Sequence, residues 1–358
     1  MSTSDLETTR GWRVFKPGQK DGWESLQWDA SLPLPELGPS DVLVKFRAAA
    51  MNFRDLAIVR GFYPRPSKSG VVPGADGAGE VIAIGSRVSR FQPGQKVIPF
   101  GYQSGYFGGN VSSREAISTA IGGAEDGTFR EHGVFDQQGL VHMPEHLSFE
   151  EGCSLMGAGL TAWNALMGGV QPMRVGDCVL AQGTGGVSLA AVQFAVAGGA
   201  TVIATTSSEE KARKLKALGA HHVINYKEDS DWGSTAKKLS PRGVGCTHVI
   251  EVGGPNTMRQ SLDCIAPGGQ IAVIGFLAGQ GPVKEGDPSM LEVLAKMCII
   301  RGIEVGSRLQ FEEMIRVMET VGIKPVLDER SFLLGELKDA YQYLSEQQHF
   351  GKVIVKIP

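Results

Sequence analysis

The stretch CVLAQGTGGVSLAAVQFAVAGGATVIATTSS, residues 178–208, decides the fold. Cys178 to Gln182 carry no charge and read as a buried strand. They run into Gly183-Thr184-Gly185-Gly186-Val187-Ser188, then an apolar helix from about Val187 to Ala197. TVIATT reads as the next strand, followed by a helix from about Glu209 to Leu218. The apolar run Leu189–Thr206 is short for a membrane span and is broken by Gln193 and Gly198-Gly199, so it reads as a buried helix followed by a strand. HHVINY, THVIEV, QIAVIGF and CIIRGIEV continue the rhythm as strands, with helix-like PNTMRQSLDCI and PSMLEVLAKM between them. Strands alternating with helices at this spacing predict an α/β unit: a doubly wound parallel sheet covered on both faces.

Upstream the pattern differs. DVLVKFRAA, GEVIAIG and QKVIPF follow one another with turns rather than helices between them, which predicts an antiparallel or barrel-like β-rich unit. Two helices, Gln310–Val321 and Glu336–Gln347, and the strand KVIVKI close the chain without extending the alternation. A length of 358 residues accommodates two such domains. Glycine is the compositional deviation, 48 of 358 or about 13%, against an average near 7%. The net charge of −3 gives no footprint for nucleic acid or an anionic membrane. Five dispersed cysteines without a CxxC pair read as reduced thiols, and MSTSDLETTRGW has no apolar core of a secretory signal, so the expected location is the cytoplasm.

The glycine turn carries the cofactor argument. Gly183 permits a tight turn, Gly185 allows close approach of a phosphate, and Thr184, Gly186 and Val187 open a helix whose free N–H groups attract an anion. Ser188 stands where a third glycine would serve helix–strand packing. An acid at the end of the next strand would bind a ribose 2′-hydroxyl; here Thr205-Thr206-Ser207-Ser208 stand there, with Lys211 and Arg213 behind. Hydroxyls and cations suit a 2′-phosphate, so NADP(H) is expected. Alternatively, Ser207 and Glu210 form a capping box and the bases are a solvated helix face.

AAAMNFRDL, VPGADGAGEVIAIG, GCSLMGAGLTAWNAL, AQGTGGVSLAAVQFA, KALGAHHVINY and HFGKVIV together resemble the zinc-free branch of the medium-chain dehydrogenase/reductase superfamily, the quinone oxidoreductase-like and alcohol dehydrogenase-like proteins. The resemblance implies a GroES-like catalytic domain over residues 1–149 and 308–358, a Rossmann domain over 150–307, and an active site in the cleft between them. It further implies that Tyr226, Gly253, Gly275, Phe276 and Lys352 join the cofactor site. The positions that hold catalytic zinc in relatives fall on Asn52, Ala75 and Ala158, which offer no ligand set, and the structural-zinc cysteines have no counterpart in 101–127. His142 and His146 straddle Pro144, and the adjacent His221 and His222 alternate faces, so both pairs read as structural. No metal is expected.

Without a metal, charge developing on a substrate oxygen needs hydrogen-bond donors. The expected catalytic residues are Tyr63, matching the tyrosine of zinc-free enoyl reductases, with Asn52 and Asp76; Tyr63 as cleft lining and Asp76 as a buried structural acid are the alternatives. Phe53, Phe62, Tyr63, Phe100, Tyr102, Tyr106, Phe107 and Phe129 suggest a small apolar or aromatic substrate, unless they are core. Residues 101–127 read either as a lid or as a long surface loop. The leading expectation is an NADPH-dependent reductase of an enone, quinone or enoyl thioester; reversible alcohol oxidation and a non-enzymatic nucleotide-binding role are the alternatives. In the family the last Rossmann strand often pairs with its copy, and Cys298–Val305 is apolar enough for such a homodimer or for burial within one subunit.

Overall fold

A computed structural model describes residues 6–15, 18, 23–108, 114–279 and 287–358. Residues 1–5 of the N-terminal stretch and 109–113 of the glycine-rich segment lie outside the described residues. The chain divides into two compact units, residues 1–157 with 307–358 and residues 158–306. Residues 150–157 thus belong with the first unit; the Gly157 amide donates to the buried Asp76 carboxylate at 2.7 Å and ties the segment there.

The first unit opens with an antiparallel ribbon, β1 (Thr8–Val14) and β2 (Leu26–Pro33). β3 (Asp41–Ala50) follows, then a seven-residue helix α1 (Phe53–Val59), β4 (Asp76–Ile84) and β5 (Lys96–Pro99). A single turn α2 (Arg114–Ile117), β6 (His132–Asp136), β7 (Leu140–His142) and a single turn α3 (Phe149–Gly152) complete its first part. β4 lies so close on β3 that a Cβ at Gly79 would strike the Lys45 carbonyl, which is why GAGEV begins with small residues.

The second unit begins with α4 (Leu160–Met167) and then alternates: β8 (Cys178–Gln182), α5 (Gly186–Ala197), β9 (Thr201–Thr206), α6 (Glu209–Ala217), β10 (His222–Asn225), α7 (Trp232–Leu239), β11 (Cys246–Glu251), α8 (Pro255–Cys264), β12 (Ile265–Val273), α9 (Met290–Lys296) and β13 (Ile299–Gly302). All six strands are parallel, in the order β10-β9-β8-β11-β12-β13. The order reverses between β8 and β11, the point where such sheets bind ligands across their carboxyl ends. The apolar run 189–206 is the buried part of α5 followed by β9, as its composition predicts. β12 ends at Val273, so Gly275 and Phe276 lie in the segment after it.

The chain then returns to the first unit with α10 (Arg308–Val321), β14 (Leu327–Leu333), α11 (Leu337–Ser345) and β15 (Lys352–Lys356). β14 and β15 enter a seven-stranded sheet, β14-β15-β3-β4-β5-β7 with β6 also on β3. Its core includes Phe46, Phe91, Phe129, Phe135 and Tyr341; the parallel sheet has a core of its own around Leu180, Ile203, Val249 and Ile271. Phe100, Tyr102, Tyr106 and Phe129 are at most 3% exposed, so these four are core and not a substrate wall. The described part of 101–127 is anchored: Tyr102 bridges Ala120, and the Tyr106 carbonyl accepts from the Arg308 amide. Among the described residues no helix is long and apolar enough to cross a membrane.

Candidate active site

Asn52 ends the run after β3 and begins α1 in extended conformation, with its backbone N–H held by the Asp55 carboxylate at 2.9 Å. The last strand, β15, runs beside β3 and starts with Lys352, whose side chain is buried against the same place. The ammonium donates to the Met51 carbonyl (2.8 Å), Asn52 Oδ1 (2.7 Å) and Asp76 Oδ2 (2.8 Å). An ammonium has three donors, and all three are committed. Lys352, expected among the cofactor residues, therefore has no hydrogen left for a cofactor.

The same bonds fix neighbouring groups. Lysine only donates, so the atom of Asn52 that faces it must be the carbonyl oxygen. The Asn52 amide nitrogen consequently points the other way, and it has no partner among the described residues. Asp76 is fully buried, with one oxygen on Lys352 and the other on the Gly157 amide. That leaves it holding the cation in place rather than facing a reactant, the buried-acid alternative.

Tyr63 lies four residues past α1, half-buried, with its backbone N–H on the Ala57 carbonyl at 3.2 Å. The sequence reading missed its neighbour Arg54 in the first turn of α1. This guanidinium is 5.5 Å from the Tyr63 ring centre, hydrogen-bonds the phenol, and donates to the Ile121 carbonyl at 2.9 Å. Burial works against its charge, but the Tyr63 phenol and the Asp55 carboxylate outweigh that and raise its pKa. Arginine also only donates, so Tyr63 Oη accepts from it and keeps its own hydrogen to give. The signal for Arg54 was its place in NFRDL, two residues after a candidate donor.

In the second unit the glycine turn has the geometry its sequence predicts. Gly183 adopts φ +74°, and a Cβ at Gly183 or at Gly185 would meet nothing within 4 Å, so the backbone there is open to a bound group. The Gly183 amide is tied to Thr205 at the end of β9, and α5 begins at Gly186 with no side chain capping it. Ser188 replaces the third glycine without a packing conflict because its hydroxyl donates to the Gln182 carbonyl at 2.6 Å. Thr206 is buried with its hydroxyl unpartnered, at the place expected to meet a ribose. Ser208 instead caps α6 by accepting from the Lys211 amide, so Ser208, rather than Ser207 paired with Glu210, is the cap. Ser207 and Lys211 are half-buried and Tyr226 is exposed, its amide on the Thr206 carbonyl. Gly253 is buried in the turn after β11. An open glycine turn, an uncapped helix start and an orphaned hydroxyl fit the pyrophosphate and ribose of a dinucleotide.

Residues 38–145 match the alcohol dehydrogenase GroES-like domain family and residues 186–320 the zinc-binding dehydrogenase family. A zinc-type alcohol dehydrogenase-like protein of Schizosaccharomyces pombe is 44% identical over 323 residues, covering 90% of this chain and 92% of that protein. The chain belongs to the medium-chain dehydrogenase/reductase superfamily. Within the superfamily it is 30% identical to a quinone oxidoreductase of Pseudomonas aeruginosa over 331 residues, 89% of this chain and 92% of that one. A crystal structure of a putative alcohol dehydrogenase from Sinorhizobium meliloti superposes with a TM-score of 0.84 at 34% identity, over 98% of this chain and 99% of that one. The GroES-like and Rossmann components expected from the sequence are both present, and a nicotinamide cofactor follows from the family. Asn52, Ala75 and Ala158, the positions that the sequence resemblance sets against zinc ligands, carry two side chains that cannot ligate and one amide. His146 Nε2 bonds the Ile323 carbonyl, His142 lies against the Phe91 ring, and His221 Nδ1 accepts from the Val202 amide. Among the described residues no group of three or more His, Cys, Asp or Glu side chains could hold a metal.

Proposed function

We propose that this oxidoreductase is a zinc-independent, NADPH-dependent reductase of a polarised C=C or C=O bond, in an enone, quinone or enoyl thioester. One observation carries the reading: Lys352 occupies the carbonyl oxygen of Asn52 and leaves the amide nitrogen as an unpartnered donor. The bound dinucleotide supplies a hydride. As hydride reaches the β-carbon of an enone, the electron pair moves to the substrate oxygen, which must be stabilised. Asn52 Nδ2 and Tyr63 Oη are donors with a fixed cation behind each, Lys352 and Arg54. A cation on the acceptor side of a hydrogen-bonded group strengthens what that group donates. Tyr63 is also the proton source that completes the reduction.

NADPH is favoured over NADH because β9 ends on Thr206, with an unpartnered hydroxyl and Lys211 nearby, and not on an acid. The name of the Pseudomonas aeruginosa relative, a quinone oxidoreductase, supports a reductase. The test is oxidation of NADPH and of NADH over a panel of enones, quinones and aldehydes, with and without chelator. The expected result is turnover with NADPH on an enone or quinone that chelator leaves unchanged. Chelator-sensitive turnover with about one zinc per chain, or silence across the panel, contradicts the proposal.

A further inference from the structure

Among the fully buried carboxylates that the mechanism leaves unused is that of Glu251, the last residue of β11. No cation touches it among the described residues; five donors do. Oε1 accepts from the amides of Gly253 and Gly254, both at 2.9 Å, and from the Thr257 hydroxyl at 2.5 Å. Oε2 accepts from Gln182 Nε2 at 2.7 Å and from the Ser261 hydroxyl. Gln182 is the last residue of β8, immediately before the glycine turn. Its second amide hydrogen goes to Ser261 Oγ at 2.8 Å, its side-chain oxygen accepts from the amides of Val252 and Gly253, and its backbone carbonyl accepts from Ser188 of α5.

Every atom in this cluster is used with one possible polarity. Gln182 Oε1 accepts from the Val252 and Gly253 amides, so Gln182 presents its nitrogen to Glu251. Gln182 cannot turn over, because its oxygen holds two backbone N–H groups. The pair therefore bridges β8 and β11, the two strands that flank the reversal of strand order, and sets the backbone of both turns leaving them: Gly183 onward on one side, Val252–Gly254 on the other. A dinucleotide lies across the carboxyl ends of those two strands. We infer that Glu251 is a positioning residue for the dinucleotide, acting through Gln182 to hold the two turns at the separation that the cofactor spans. The inference rests on the nicotinamide-cofactor reading and is independent of the substrate.

The polarity makes a reciprocal test available. Glu251→Gln places an amide nitrogen against the amide nitrogen of Gln182, and Gln182→Glu places two buried carboxylates together. The double variant Gln182→Glu/Glu251→Gln reverses the direction of the bond and keeps the charge, the volume and every backbone acceptor. Dissociation constants for NADPH are measured by cofactor fluorescence on the protein without substrate, at a temperature well below each variant's thermal midpoint. Each single change is expected to weaken binding about tenfold to a hundredfold, the consequence of leaving a buried polar group unpaired. The double variant is expected to recover most of the affinity, the signature of direct coupling. Folded Glu251→Gln protein that binds NADPH normally while melting earlier would show a stabilising role only, and a double variant no better than the worse single one would equally overturn the inference. If the single variants do not fold, the double variant still decides it. A wild-type protein that binds neither NADPH nor NADH would instead remove the cofactor reading on which the inference stands.

Discussion

Asp55 sits in the first turn of α1, entirely buried, with one oxygen on the Asn52 amide and the other without a hydrogen bond, 3.9 Å from the Arg54 guanidinium. Burial raises its pKa from 3.8 to about 6; Asp76 adds to that, while Arg54 and Lys352 pull it down. The unpartnered hydroxyl of buried Tyr341 is also among its neighbours, and its own pKa is raised by burial first and by Asp55 second. An acid whose pKa is higher folded than unfolded binds more protons in the folded state, so stability falls as pH rises between about 4 and 6 and the full penalty stands above 6. Asn at this position keeps an oxygen for the Asn52 amide and cannot ionise. Asp55→Asn should therefore be more stable than wild type at pH 7.5, by up to about 3 kcal/mol, with the gain shrinking toward pH 4.5. Urea unfolding at the two pH values checks this; an equal difference at both would contradict it. Asn52, Tyr63 and Asp76 were singled out through the family resemblance, whereas the commitment of Lys352 to Asp76 was hidden, because the partners are 276 residues apart and only sheet pairing joins them.

Elements with long apolar runs read clearly. β8, β9 and α5 lie where their patterns predict, because buried parallel strands and the helix between them are continuous in hydrophobicity. β1, β2 and α1 were not legible as elements: the ribbon's exposed residues interrupt its pattern, and a seven-residue helix is too short to show a period. α9 and β13 carry a prediction. β13 is an edge strand of the parallel sheet, and Met290, Leu291, Leu294 and Met297, in and just after the helix that precedes it in the chain, are 66–79% exposed. An edge strand can pair with its own copy about a twofold axis, and such pairing would offer cover to exposed apolar residues of the helix that leads into it. The chain should accordingly be a dimer by light scattering, and Leu291→Lys with Leu294→Lys should give a folded monomer. A wild-type monomer at micromolar concentration would contradict this.

Across the whole molecule, the near-neutral charge of −3 conceals a specific use of cations. Under the proposed mechanism this chain uses two of its own cations, Lys352 on the Asn52 side chain and Arg54 beside the Tyr63 ring, behind neutral donors. The sequence of the first domain carried the expectation of no metal at Asn52, Ala75 and Ala158; it gave no sign of Lys352 and Arg54 in the same region, since a lysine in a closing strand and an arginine in a short helix have no shared motif. The account's central claim is that Tyr63 and Asn52 together take the charge a metal would otherwise hold. The most direct measurement is the turnover of Tyr63→Phe on the best enone or quinone substrate, with NADPH and with NADPH deuterated at the transferred position. The predicted result is a loss of about two to three orders of magnitude in kcat, with NADPH affinity unchanged. Normal turnover that shows a deuterium isotope effect would place the chemical step outside the reach of Tyr63 and contradict the claim.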